Sequence, residues 1–317
     1  MPYAPSLSSR AIIGSFYRRL EAAFAKSWAS RLGMLFSSNQ ESETYNWLGQ
    51  VPRMREWGTG RLAKELRADG LTITNKLYES TIKISTDDRR RDKTGQINQR
   101  INGLAKGVAS HWEELLSTLI VAGTSTACYD GQWFFDDDHS EGSSGTLKNL
   151  LTSTEVAALN VTTATAPTLD EMAKAILGSI GYMLTYKDDQ GRPMNGDARS
   201  FAVMIGHPDL YGPAVAACTE REFGIGTPNV LRATPFTVEC ILNAEMTASS
   251  WTDKFLLFRT DGDVRPFILQ EEVGVKMDAI AEGSEMEINE RQHQYGATAL
   301  RAVGYGYWQH AAHATLS

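Results

Sequence analysis

From Ile97 to Leu119 an apolar side chain returns every third or fourth residue: Ile97, Ile101, Leu104, Val108, Trp112, Leu115 and Leu119. That spacing places all seven on one stripe of a helix of roughly six turns, with Gly123 as its stop signal. A helix striped over this length needs a sheet or another helix along its apolar face, so it predicts the spine of a layered body. Ile13, Phe16, Leu20, Phe24, Trp28, Leu32 and Leu35 trace a second stripe, predicting a helix from about Ser9 to Phe36 capped by Ser8 or Ser9. Unbroken, it would reach roughly 40 Å, and either its own core or a neighbouring subunit can cover it.

Between the helices the pattern changes to a period of two. Leu71 and Ile73 alternate with Thr72 and Thr74, and Ile82 and Ile84 alternate with Thr81, Lys83 and Ser85. Asn75-Lys76 lies between them, so the segment predicts a hairpin. Two strands alone are marginal in water, and this pair must lean on something else. The mixed run Asp87-Asp88-Arg89-Arg90-Arg91-Asp92-Lys93 that follows reads as a solvated loop.

Downstream, residues 139–167 turn rich in Ser, Thr, Gly and Ala and mark a boundary or loop. Thr168-Leu169-Asp170-Glu171 reads as a capping box for a helix carrying Met172, Ile176, Ile180 and Leu184. Asp209 is placed to cap a helix through Arg221. Strands are predicted at Phe201 to Ile205, Phe236 to Ala244, Lys254 to Phe258, Phe267 to Gln270, Val273 to Met277 and Glu285 to Asn289. Helices and strands mix without a regular βαβ rhythm, so the fold class is α+β.

The 317 residues, 42% of them hydrophobic, can fill a large core, as one large domain or two ordinary ones. The 31 basic and 38 acidic side chains give −7, which argues against a surface that grips nucleic acid throughout. No apolar run approaches the ~20 residues of a membrane span, and the N-terminus lacks the apolar stretch of a secretory signal. Cys128, Cys218 and Cys240 are too few for a disulfide framework, which points to a reducing compartment.

Chemistry is sparse. Asp136, Asp138 and His139 in Phe134-Phe135-Asp136-Asp137-Asp138-His139 are a candidate divalent-cation cluster, but the spacing fits no helical metal motif and reads first as an acidic turn. Cys128 has no histidine close in sequence, no GxSxG elbow occurs, and Gly224-Ile225-Gly226 lacks the third glycine of a phosphate loop. His207 reads as structural, and His310 and His313, near the C-terminus, as solvated. Neither an enzymatic constellation nor a cofactor is predicted.

Taken in order, Tyr45-Asn46-Trp47-Leu48-Gly49, Pro52, Arg55-Glu56-Trp57, Asn75-Lys76-Leu77-Tyr78-Glu79, Tyr129-Asp130-Gly131-Gln132, Phe134-Phe135 with His139, Arg265-Pro266-Phe267-Ile268-Leu269-Gln270 and Gly304-Tyr305-Gly306-Tyr307-Trp308-Gln309 resemble the major head subunit family of Mu-like phages. The resemblance runs from about Thr44 to His310. It departs at Ser140, where a proline commonly follows the histidine, and at Arg89 to Arg91, which replace an Asp-rich stretch.

The resemblance implies a major capsid protein of the Hong Kong 97-type fold. It implies an N-terminal arm (1–48), an extended loop (49–95), a peripheral domain with the spine helix (96–165), an axial domain (166–262) and a C-terminal return to the peripheral domain (263–317). It implies no cofactor and a phage head shell of hexamers and pentamers around double-stranded DNA, with scaffold, portal and decoration proteins as further partners and the virion as location. Trp47, Arg55, Trp57, Leu71, Ile73, Ile82 and Ile84 are the expected subunit contacts, because an apolar hairpin that cannot stand alone can bury its surface on the next copy. Two rivals are a non-viral shell of the same fold enclosing protein cargo and a metal-dependent hydrolase using Asp136, Asp138 and His139.

Overall fold

Where the N-terminal stripe predicts one long helix, the chain breaks. The computed structural model describes residues 8–48, 70–91, 95–224 and 226–317. Helix α1 spans Ser9–Phe24, capped by the Ser8 hydroxyl, which accepts from the Ala11 N–H. The Glu113 carboxylate then accepts from the Ser27 hydroxyl and the Trp28 N–H, fixing a bend. One short turn, α2 (Ala29–Leu32), leads into strand β1 (Gly33–Ser37). Gly33 is pressed on Leu269, whose Cγ lies 2.6 Å from where a Cβ would stand, so the chain runs flat against its neighbour strand and Leu35 is a strand residue.

Strands β2 (Ser42–Tyr45), β3 (Leu71–Thr74) and β4 (Lys76–Ser85) precede α3 (Thr86–Arg91) and the spine helix α4 (Gln96–Val121). Beyond them come β5 (Leu150–Leu151), α5 (Leu169–Met183), β6 (Ser200–Ile205), α6 (Pro208–Thr219), β7 (Thr237–Leu242), β8 (Lys254–Arg259), β9 (Phe267–Ile280), α7 (Glu285–Glu290), β10 (Gln292–Tyr305) and β11 (Ala311–Thr315). Two larger sheets result, with strand orders β1-β9-β10-β4 and β5-β11-β8-β6-β7, beside a β2-β3 pair. The mixture is α+β.

The expected hairpin does not form. β3 pairs antiparallel with β2, while β4 makes a ten-residue antiparallel ladder with β10, from Lys76 opposite Arg301 to Ser85 opposite Gln292. Asn75 is the corner between them, not an exposed turn. It is buried, donates to Gln40 O at 3.0 Å and Glu272 Oε2 at 3.3 Å, and accepts from Gln270 Nε2 at 3.0 Å. The long ladder wins because Ile82 and Ile84 meet Tyr295 and His293 across it on a buried face.

Three further expectations are corrected. The charge run begins as helix α3, where Arg89 ion-pairs with Glu282 and Asp87 with Arg291 at 3.0 Å. Glu285 to Asn289 is helical, because the Ser284 hydroxyl caps α7 by accepting from the Glu287 N–H. The cap of α6 is His207, whose Nδ1 accepts from the Asp209 N–H at 3.4 Å, with Asp209 in the first turn. The capping box at Thr168 and Glu171 forms as predicted.

Two apolar cores result. The larger joins the five-stranded sheet, α5, α6 and the C-terminal half of α4 around Phe134, Phe135, Phe267, Tyr305 and Trp308. The smaller packs Ile12 and Phe16 of α1 and Ile97, Ile101, Leu104 and Val108 of α4 on Ile84, Met277 and Tyr295.

Candidate functional site

His139 joins neither Asp136 nor Asp138. The Asp136 carboxylate is occupied by the backbone N–H groups of Trp133 (3.1 Å) and Asp137 (2.7 Å), and Asp138 faces solvent. Fully buried His139 instead stacks on Trp308, ring centroids 3.9 Å apart at 8°, and donates from Nδ1 to Asp130 Oδ2 at 2.7 Å. Asp130 Oδ1 also accepts from the Cys128 thiol at 3.0 Å and the Gln132 N–H at 3.1 Å, closing the turn in which Gly131 holds φ +88°.

Cys128, Asp130 and His139 thus form a buried hub, their ligand-type atoms within 4.8 Å of one another. Burial raises the carboxyl of Asp130, but the bond and charge of His139, together with the bonds from Cys128 and Gln132, outweigh it and hold the group below its usual range. Burial and the Asp130 charge push the Cys128 thiol up, so it stays protonated. A protonated thiol donating to a carboxylate is no nucleophile; the hub locks a loop. Sequence spacing could not find it, because its histidine sits eleven residues beyond its cysteine.

His310 and His313 are buried, not solvated: His310 ends the turn Trp308–His310 just before β11, and His313 lies on β11, between β5 and β8 in its sheet. Burial and the Arg259 charge lower His310 to about 3, and burial and Lys254 lower His313 to about 4.

The expected contact residues have different placements. Trp47 is half-buried against Phe36 and Tyr307. Ile73 is 5% exposed, seated where Gly304 leaves no room for a side chain, and Leu71 lines the same hollow. Ile84 is buried in the smaller core and Ile82 packs on it. Arg55 and Trp57 lie outside the described residues. The isoleucines therefore cover their own chain.

Apolar surface is open elsewhere. Leu300 of β10 stands opposite Leu77 of β4 on one side and Val273 of β9 on the other. The three form a row across the sheet face that points away from α1 and α4, with Leu77 66% and Val273 39% exposed. At the far end of the β9–β10 ribbon Ile280 and Ile288 are exposed too. The strand pattern hides this row, because Leu77 shares its strand face with Glu79, Thr81 and Lys83.

The family model for the Mu-like prophage major head subunit gpT matches residues 10–168 and 226–316. The chain belongs to that family. Over 115 residues it is 36% identical to the major capsid protein of Escherichia phage Mu, covering 36% of this chain and 38% of that one. Over 135 residues it is 33% identical to the Mu-like prophage FluMu major head subunit of Haemophilus influenzae, covering 42% and 44%. The matched stretches span less than half of these curated relatives. Among solved structures, the subunit of the bacteriophage JBD30 procapsid superposes with a TM-score of 0.55 at 22% identity, covering 99% of this chain and 76% of that one. The head subunit family and this likeness give the Hong Kong 97-type capsid fold.

Proposed function

We propose that the chain is the major capsid protein of a tailed-phage head, a self-assembling subunit that forms a closed icosahedral shell around double-stranded DNA and resides in the virion. The single observation that carries this reading is the head-subunit family match on both sides of residues 169–225. Within that reading, residues 1–48 are the arm, 49–95 the extended loop, 96–165 and 263–317 the peripheral domain, and 166–262 the axial domain. Hexamers and pentamers of the chain are its main partners, with scaffold, portal and decoration proteins as additional ones.

The geometry supplies a surface for such contacts. The Leu77–Leu300–Val273 row is apolar, with Leu77 and Val273 exposed and Leu300 half-buried. Loop residues such as Arg55 and Trp57, with Trp47 at the loop's base, are the proposed counterpart on a neighbour. Repeated head-to-tail contacts of this kind close into rings when the rotation permits, each gaining about 25 cal/mol per Å² of apolar area covered.

Replacing Leu77 and Val273 together with Asp tests the reading. The expected result is a folded protein by circular dichroism that sediments as free subunits and shows no shells in negative stain. Normal particles from the double variant would show that this face is not in the lattice.

A further inference from the structure

The charge of −7 is unevenly placed. Arg10, Arg18, Arg19 and Lys26 lie on or just after α1, and Arg100 and Lys106 lie on α4; all six are exposed. The only acid in residues 9–26 and 96–111 is Glu21, so these two segments carry +5 and the rest of the chain −12. Among the described residues none of the six cations is in an ion pair with a side chain. The two helices pack together through the smaller core, and three of the six cations meet along their seam. Arg19 and Lys26 face Lys106 across a groove of about 450 Å³ floored by Ala22, Ala23 and Ala109. Its one acid, Glu113, is engaged by Ser27 and Trp28.

We propose that this α1–α4 face binds the phosphate backbone of double-stranded DNA and is the side of the subunit turned toward the packaged genome; the idea rests on the shell reading above. The surface between the cations is small. Gly103, Gly107 and Ser110 are the exposed residues flanking Lys106 on α4, and a Cβ at either glycine would meet nothing. A phosphate backbone can therefore approach closely. The cations address phosphates, which carry no sequence information, so the binding proposed is independent of sequence. The acidic remainder repels DNA and confines it to this side.

The test compares two triple variants of the full chain: Arg18→Gln, Arg19→Gln and Lys106→Gln on the face, and Lys76→Gln, Lys83→Gln and Lys276→Gln on the exposed β4 and β9 positions. Binding of a labelled random-sequence duplex to the unassembled subunit fraction, separated from shells by gel filtration so that the face is open to solvent, is followed by anisotropy across roughly 50 to 200 mM salt, where phosphate contacts dominate. The face variant is expected to bind about tenfold or more weakly, with a salt slope reduced by ~0.9 for each phosphate that is no longer neutralised. The control variant should bind like the parent, and both should still build shells in negative stain. Equal weakening in the two variants, unchanged binding by the face variant, or polyglutamate competing as well as duplex would overturn the assignment. Shell formation reports on the assembly reading separately.

Discussion

The two cores differ in how completely the protomer closes them. Around Phe134, Phe267, Tyr305 and Trp308 the larger core has layers on every side, and each of these rings is 2% exposed or less. The sheet beneath the smaller core is covered on one face only among the described residues. Ile84, Met277 and Tyr295 point at α1 and α4, while the reverse of the same sheet offers Leu77, Leu300 and Val273 to the surroundings. Under the proposed function a subunit that folds before joining a lattice needs both: a core that holds it folded, and a sheet whose second face remains to be buried. On that proposal stability and association fall to different parts of one chain.

The strongest way to break that division is to cut each core at a phenylalanine. The Phe134 ring stacks on Tyr305 at 4.5 Å and 12° and meets Phe135 and Phe267 at 4.9 and 5.4 Å. Phe134→Ala should lower unfolding free energy by ~3–5 kcal/mol in urea titrations, since rigid walls cannot fill the cavity. Phe16 is equally buried, but α1 can settle onto α4, so Phe16→Ala should fall at or below the lower end, about 2–3 kcal/mol. Equal losses, with one coincident transition by all probes, would make the two cores a single cooperative unit.

Acid should separate the regions next. His310 and His313 belong to the larger core region and have folded values of about 3 and about 4, against ~6.5 in an unfolded chain. The unfolded state therefore binds more protons, and stability falls as the pH drops from about 6.5 toward 4. Arg259, Asp197 and Asp261 face His310, and Lys254 and Asp253 face His313, so the acids limit the loss only while ionised. Hydrogen exchange should show β8 and β11 loosening in this window, and His313→Gln should flatten the pH profile. A flat profile in the parent chain would mean that these histidines are solvated in solution.

What the sequence makes legible follows the range of the forces involved. The spine helix and the Thr168 capping box depend on neighbours three or four residues away, and both stand as read. Alternation correctly places Ile82 and Ile84 on one strand face. It cannot say that their partners lie more than two hundred residues on, at Tyr295 and His293, so the pattern points to the nearer strand. The bend after Phe24 depends on Glu113, and the strand at Leu35 on Leu269, neither of which is local. Proximity to the C-terminus suggests exposure for His310 and His313, yet the turn that ends at His310 leads straight into β11, which holds His313 between two strands. The apolar row stays hidden because it exists only across three strands, one side chain from each.

The smallest effect concerns the tip of the half-closed region. Arg291 ends α7 with φ +53° and ψ +39°, the sole non-glycine residue with positive φ among those described. Left-handed backbone costs an L-residue about 1 kcal/mol, and here the conformation is imposed from both sides. The Arg291 N–H donates to Glu287 O at 3.1 Å, and its carbonyl accepts from the Thr86 N–H at 3.0 Å and the Thr86 hydroxyl at 3.1 Å. Those bonds are backbone bonds on the Arg291 side and survive replacement. Arg291→Gly removes the strain, adds unfolded-state entropy of ~0.5–1 kcal/mol, and loses the exposed pair to Asp87, worth ~0–1 kcal/mol. The three effects nearly cancel, so stability should move by no more than about 1 kcal/mol in either direction in thermal or urea unfolding, with shells unaffected. A loss well above that, or failure to assemble, would mean that the guanidinium does more than pair with Asp87, and that the ribbon tip belongs with the closed part of the molecule.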